Sequence, residues 1–324
     1  MILWHWPLRT NMNTVTSPLA LKNDLLTGME WNPAQVREFF QLAAKIKLHP
    51  EQYRGALSGR ILALIFEKPS LRTRVTFEVG IASLGGTPIF LDHTLTHLGE
   101  RECVRDIAKN LERWVHGIVA RVFAQESLEE FAANANIPVI NALSDRFHPC
   151  QALADFFTLE ERFGALHGLK FAYVGDGNNM CHSLLSIGSR VGAHIRVATP
   201  AGYEPDPAVV AEAKRVAKET RGRIEILRSP VDAVTGVQAV YTDVWASMGQ
   251  EDEAAAREAA FAGYQIDAAL FSQTSPDAVF MHCLPAHRGL EVTAEVIDSP
   301  RSIVYDQAEN RLHVQKAILH TLLT

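Results

Sequence analysis

Apolar residues along the chain fall into two patterns, short unbroken runs and longer stretches with apolar positions three and four apart. The run Ile61-Leu62-Ala63-Leu64-Ile65-Phe66, bounded by Arg60 and Glu67, predicts a buried strand. Before it, Asn32-Pro33 predicts a cap and first helical position, with Val36, Phe39, Phe40, Leu42 and Ala43 following at helical spacing. After it, a polar loop leads into a buried helix carrying Val75, Phe77, Val79, Ile81, Ala82 and Leu84. Gly85-Gly86 stops that helix ahead of a strand from Pro88 to Leu91, completing a βαβ unit.

The pattern restarts after a helical stretch from Leu153 to Phe163. A strand from Phe171 to Val174, a Gly-rich turn, a helix through Leu184, Leu185 and Ile187, and a strand from Ile195 to Ala198 follow in turn. Further short strands are predicted at Ala239 to Tyr241, Val279 to Met281 and Ile303 to Tyr305. The last helix has one apolar face through Val314, Ala317, Ile318, Thr321 and Leu322. This alternation predicts an α/β protein of two domains, each with a parallel sheet flanked by helices and with the active site in the cleft between them. The boundary is placed near residue 150: 1–147 with the C-terminal helix 306–324 packing back on it, then 148–305.

Composition narrows the class. At 324 residues the chain suits two domains, and 47% hydrophobic with 21% charged residues describes an ordinary globular protein. The net charge of −6 argues against nucleic-acid binding by bulk charge while leaving room for a local basic pocket. No apolar run approaches a membrane span, and residues 1–20 predict no secretory signal, with Met12 a candidate start. Cys103, Cys150, Cys181 and Cys283 form neither a disulfide framework nor a zinc pattern, so the expected compartment is the cytoplasm.

Four polar clusters share one address, just past the C-terminal end of a predicted strand: Ser70 to Arg74, Asp176 to Asn179, Asp243 to Met248, and His282 to Pro285. In open α/β sheets that edge binds ligands. Ser70, Arg72, Thr73 and Arg74, set between a strand and a helix start, offer hydroxyls, guanidinium groups and free backbone N–H donors, which makes an oxyanion site. They lack the spacing of a nucleotide P-loop, and Gly175-Asp176-Gly177-Asn178-Asn179 lacks that of a dinucleotide fingerprint. Taken singly, His148 before Pro149 reads as a loop or core hydrogen-bonder, Asp243 as a turn or cap, and Cys283 as a buried small hydrophobe.

Together the motifs change that reading. Ser70-Leu71-Arg72-Thr73-Arg74 resembles the Ser-x-Arg-Thr-Arg signature of the carbamoyltransferases, and His148-Pro149-Cys150-Gln151 their His-Pro-x-Gln element. Asp243-Val244-Trp245-Ala246-Ser247-Met248-Gly249, His282-Cys283-Leu284-Pro285 and Glu309-Asn310-Arg311 extend the resemblance, which is to the ornithine branch of the family, from about residue 20 to the end.

The resemblance implies transfer of a carbamoyl group from carbamoyl phosphate to the δ-amine of ornithine, in arginine biosynthesis, with no metal or organic cofactor. It implies that residues 1–147 bind carbamoyl phosphate and 148–305 ornithine. Ser70, the backbone of Leu71, Arg72 and Thr73 would hold the phosphate, with Arg311 completing the pocket. Arg121 and His148 would support the carbonyl oxygen, while Gln151 and the Leu284 carbonyl grip the carbamoyl NH₂. Asp243 with Ser247 would take the α-ammonium, and Asn179 with the Met248 N–H the α-carboxylate. Cys283 would position the amine without becoming a covalent nucleophile; which of Cys283 and Asp243 governs loss of the amine proton stays open.

His97 matches a loop that reaches a neighbouring subunit's phosphate, implying a homotrimer with shared sites; alone it reads equally as an exposed loop residue. His93 and His97 lack a third metal ligand. Leu71 stands where the ornithine enzymes usually have Thr, which brings N-acylornithine and putrescine forward as alternative acceptors. Aspartate transfer, a catalytically silent binding protein and a dehydrogenase fit the motifs less well.

Overall fold

The computed structural model describes residues 24–92, 102–246 and 251–324. Strands β1 (Ile61–Phe66), β2 (Thr87–Asp92), β3 (Gly117–Arg121) and β4 (Val139–Leu143) form one sheet in the order β2-β1-β3-β4. Strands β5 (Lys170–Val174), β6 (His194–Ala198), β7 (Arg223–Leu227), β8 (Ala239–Tyr241) and β9 (Val279–Met281) form a second in the order β7-β6-β5-β8-β9. All pairings in both are parallel. Strands β1, β3 and β8 are buried along nearly their whole length, which is why they are almost unbroken apolar runs.

Helix α1 (Pro33–Leu48) starts at a capping box: Asn32 Oδ1 accepts from Ala34 N and Gln35 N, and Gln35 Oε1 accepts from Asn32 N. Helices α2 (Leu71–Ser83), α3 (Val104–Trp114) and α4 (Gln125–Asn134) complete the first half. Helix α2 ends at Leu84, and Gly85 beyond it has φ +90°, where a Cβ would sit 3.0 Å from the Arg54 carbonyl oxygen. Helix α5 (Pro149–Phe163) follows β4 and precedes β5, so it joins the two sheets. Helices α6 (Asn179–Arg190), α7 (Pro207–Thr220), α8 (Pro230–Val234), α9 (Ala254–Ala260), α10 (Ala268–Phe271) and α11 (Ala294–Ile297) belong to the second half. The closing helix α12 (Val304–Leu323) packs on α5, α2 and α1. No helix among the described residues is long and apolar enough to cross a membrane.

Three sequence expectations change. Ile303 to Tyr305 is not a strand: one bridge joins Phe280 to Ser302, and α12 begins at Val304. The helix at 71–83 is buried on one side only; Phe77 and Ile81 are covered, whereas Val75, Val79 and Ala82 are exposed. The last helix exceeds its one apolar face, because Gln307, Asn310, Arg311, Gln315 and Lys316 are buried with the apolar positions. Wedged among three helices, it buries polar residues, of which Gln307, Asn310 and Arg311 hydrogen-bond to side chains of other helices.

Candidate active site

Each sheet has one place where the chain reverses its direction of strand addition, and there the loops diverge to leave a crevice. In the first sheet this lies between β1 and β3, which are followed by Ser70 and ended by Arg121; in the second it lies between β5 and β8, followed by Asn178 and Asp243. The two crevices open into one cavity of about 990 Å³. Its walls include Ser70, Leu71, Arg72, Thr73, Arg121, His148, Gln151, Asn179, Asp243, Cys283, Leu284 and Arg311. The expected residues His97, Ser247 and Met248 lie outside the described residues.

On the first sheet's side, Ser70 caps α2, its Oγ accepting from Thr73 N at 3.3 Å. The first backbone N–H groups of α2 therefore open on the cavity with the positive end of the helix dipole. Leu71, the first residue of α2, is 77% exposed and lines the cavity. Arg311 enters from α12, donating to Thr73 Oγ1 at 2.8 Å through Nη2 and to Gln151 Oε1 through Nη1.

Arg121, Arg311 and His148 are all buried, and Arg121 Nε, Arg311 Nε and His148 Nδ1 have no protein hydrogen-bond partner. Burial, then the Arg311 charge, lowers Arg121 to about 10. Burial and the Arg311, Arg121 and Arg72 charges push His148 well below the usual histidine range, so its imidazole is neutral. Cations packed together with donors unspent define an anion site, because a dianion supplies the missing partners.

Gln151, in the first turn of α5, donates through Nε2 to Asp155 Oδ1 at 2.7 Å. Burial pushes the Asp155 carboxyl up to about 7, against hydrogen bonds from Gln151, Gln307 and Tyr241 that favour its charged form.

Across the cavity, Asp243 Oδ1 accepts from Cys283 Sγ at 3.0 Å and Oδ2 from Asn178 Nδ2 at 3.2 Å. Burial, then the Asp243 charge, pushes the Cys283 thiol well above its ordinary range, so it stays protonated and donates. Leu284 takes a left-handed backbone, φ 59°. Its N–H donates to His282 Nδ1 at 2.8 Å, leaving the proton on Nε2, 3.2 Å from Glu291 Oε1. Asp243, His282 and Cys283 bring three potential metal-ligand atoms within 4.8 Å of one another, but the His282 and Cys283 atoms are engaged in these hydrogen bonds.

Asn179 lines the cavity with its amide donating to Ser144 O at 2.6 Å. Sequence reasoning placed Asn178 in the Asp176 to Asn179 cluster but gave it no role of its own; its Oδ1 caps α6 at Met180 N and Cys181 N while its NH₂ reaches Asp243. It passed over Arg257, which donates to Asp176 Oδ2 at 2.7 Å and to the Trp245 carbonyl at 3.0 Å. Asn at the first position of the Asn-Asn pair was the signal available for Asn178; Arg257 had none.

Fold and site thus define a two-lobed α/β transferase in which an oxyanion cradle faces an acid-and-thiol pocket. The chain belongs to the aspartate/ornithine carbamoyltransferase family. The family's carbamoyl-P binding domain matches residues 23–161 and its Asp/Orn binding domain residues 167–322. A curated ornithine carbamoyltransferase of Thermus thermophilus is 51% identical over 306 residues, 94% of this chain and 98% of that protein. One from Methanocorpusculum labreanum is 49% identical over 308 residues, 94% and 99%. The solved ornithine carbamoyltransferase of Pyrococcus furiosus superposes with TM-score 0.89 at 48% identity, covering 91% of this chain and 95% of that one.

Proposed function

We propose that the chain transfers the carbamoyl group of carbamoyl phosphate to the δ-amine of L-ornithine, giving L-citrulline and phosphate. One observation carries the reading: the cationic cradle of Ser70, Arg72, Thr73, Arg121 and Arg311 and the Asp243–Cys283 pair line a single cavity. Ser70, Thr73, the Leu71 backbone and Arg72 hold the phosphate, with Arg311 beside them. Arg121 and neutral His148 donate to the carbonyl oxygen; a neutral imidazole adds a donor without adding a fourth positive charge. Gln151 Oε1 and the Leu284 carbonyl accept from the carbamoyl NH₂. Asp243 and Ser247 take the α-ammonium, and Asn179 and the Met248 N–H the α-carboxylate.

The neutral δ-nitrogen forms a bond to the carbonyl carbon, and the displaced π pair moves to the oxygen held by Arg121 and His148. As the C=O re-forms, the C–O bond to phosphate breaks and its pair leaves with phosphate. The nitrogen's surplus proton goes to that departing phosphate. Cys283, protonated, orients the amine.

In this reading the carbamoyl-phosphate domain is 1–147 with 306–324, and the ornithine domain 148–305. The enzyme works as a homotrimer in the cytoplasm, in arginine biosynthesis, with His97 reaching a neighbour's phosphate. The exposed apolar positions Leu71, Val75 and Val79, spaced four apart on α2 beside the cradle, support a subunit contact there. Phosphorus NMR tests the chemistry: above the spontaneous breakdown of carbamoyl phosphate seen without enzyme, phosphate should appear only with ornithine present, one per citrulline. Enzyme-dependent phosphate release above that background without a ureido product would refute it.

A further inference from the structure

The two groups that accept from the carbamoyl NH₂ sit on different elements, yet one buried side chain stands behind both. Asp155, fully buried one turn after Gln151 on α5, accepts from Gln151 Nε2 at 2.7 Å. The same oxygen, Oδ1, accepts from Gln307 Nε2 on α12, also at 2.7 Å. Gln307 is itself buried, and its Oε1 accepts from the backbone N–H of His282 at 3.1 Å, just before Cys283 and Leu284. The Gln307 NH₂ also lies 3.3 Å from the Tyr241 hydroxyl.

A primary amide fits a site in two orientations related by a flip, and only its neighbours choose between them. An oxygen that accepts from both glutamines settles both choices. Gln151 must turn its NH₂ to Asp155 and its carbonyl towards Arg311 and the cavity, and Gln307 must turn its carbonyl to His282. A proton on Asp155 Oδ2 would leave Oδ1 an acceptor, so the arrangement holds in either protonation state.

We propose that Asp155, acting through Gln151 and Gln307, is a positioning residue that makes the site select a carbamoyl NH₂ over an isosteric methyl group. This rests on the function proposed above. The flipped Gln151 would present NH₂ to NH₂, and a displaced His282 strand would carry the Leu284 carbonyl away from its place.

The test compares carbamoyl phosphate with acetyl phosphate, which replaces NH₂ by CH₃ and keeps the phosphate and carbonyl. In the wild type, acetyl phosphate should inhibit competitively with a Ki at least about 10-fold above the KM of carbamoyl phosphate. In Asp155→Asn, whose amide can donate to the glutamines, that ratio should fall about 10-fold, with the Ki values of acetyl phosphate and inorganic phosphate held within about 2-fold. Gln307→Met, close in volume, should lower the ratio less and serves if Asp155→Asn does not fold. A parallel loss of affinity for all three ligands would reduce Asp155 to a structural role, and an unchanged ratio in either folded variant would overturn the proposal. Citrulline formation by the wild type is the control: its absence sinks the proposed function, whereas its presence with an unchanged ratio sinks this inference alone.

Discussion

Arg311→Met isolates what the cationic cradle does, because two opposing effects separate between the free and the ligand-bound protein. In the free protein the variant loses the bonds to Thr73 and Gln151, worth about 1.5 kcal/mol each for a charged donor. It also removes a buried cation that crowds Arg121. The lowering of Arg121 from above 12 to about 10 corresponds to about 3 kcal/mol against its charged form, with Arg311 the second cause after burial. Relief of the Arg311 share of that cost, together with the burial of Arg311 itself, opposes the lost bonds. Free Arg311→Met should therefore melt within about 5 °C of wild type.

The ligand-bound state has no such compensation. Loss of a charge-assisted contact to a dianion costs about 2–4 kcal/mol, so the KM of carbamoyl phosphate and the Ki of phosphate should each rise roughly 30- to 1000-fold. Differential scanning fluorimetry with and without phosphate, alongside steady-state kinetics, reads both halves. A free variant melting more than about 10 °C low with less than about 5-fold change in the phosphate Ki would show that Arg311 holds the fold and not the anion.

Four further outcomes follow from the site. Asp243→Asn should raise the KM of ornithine far more than that of carbamoyl phosphate, and wild type should prefer ornithine over N-acetylornithine by at least about 100-fold in kcat/KM, since acylation leaves Asp243 desolvated without its counter-ion. The rate should rise with pH as bound ornithine loses its proton, and because the Cys283 thiol stays protonated, Cys283→Ser should lower kcat while leaving that inflection within about 0.3 of a pH unit. His148 resists protonation in the fold, so below about pH 6.5 the unfolded chain binds the extra proton and stability falls; His148→Gln should flatten that slope in pH-dependent denaturation by up to about 1.4 kcal/mol per pH unit. Leu71→Thr, at a side chain 77% exposed, should change kcat/KM for ornithine less than about 3-fold, and a larger shift in acceptor preference would make that position a specificity determinant.

The strands were legible because parallel strands covered on both faces leave unbroken apolar runs; Ile61 to Phe66, Ala239 to Tyr241 and Val279 to Met281 match the structure to the residue. Ile303 to Tyr305 has the same look, but so short a run cannot distinguish a strand from the entry to a helix, and the packing of α12 decided it. Val75 and Val79 show a complementary limit. Periodicity marks a face that avoids water without saying what covers it.

Motifs contiguous in sequence, such as Ser70 to Thr73 and Cys283-Leu284, lie together on the wall of one cavity. Asp155 and Gln307 escaped notice because their meeting spans 152 positions and neither looks unusual in its own helix. The hydrogen bond from Asn178 to Asp243, which spans 65 positions, was hidden for the same reason.

The most direct test of the central claim is a colorimetric ureido-product assay with carbamoyl phosphate against ornithine, N-acetylornithine, N-succinylornithine, putrescine and aspartate. Ornithine should give citrulline with kcat/KM at least about 100-fold above every other acceptor. Equal or faster turnover of an N-acylated ornithine, or no ureido product from ornithine at all, would contradict it.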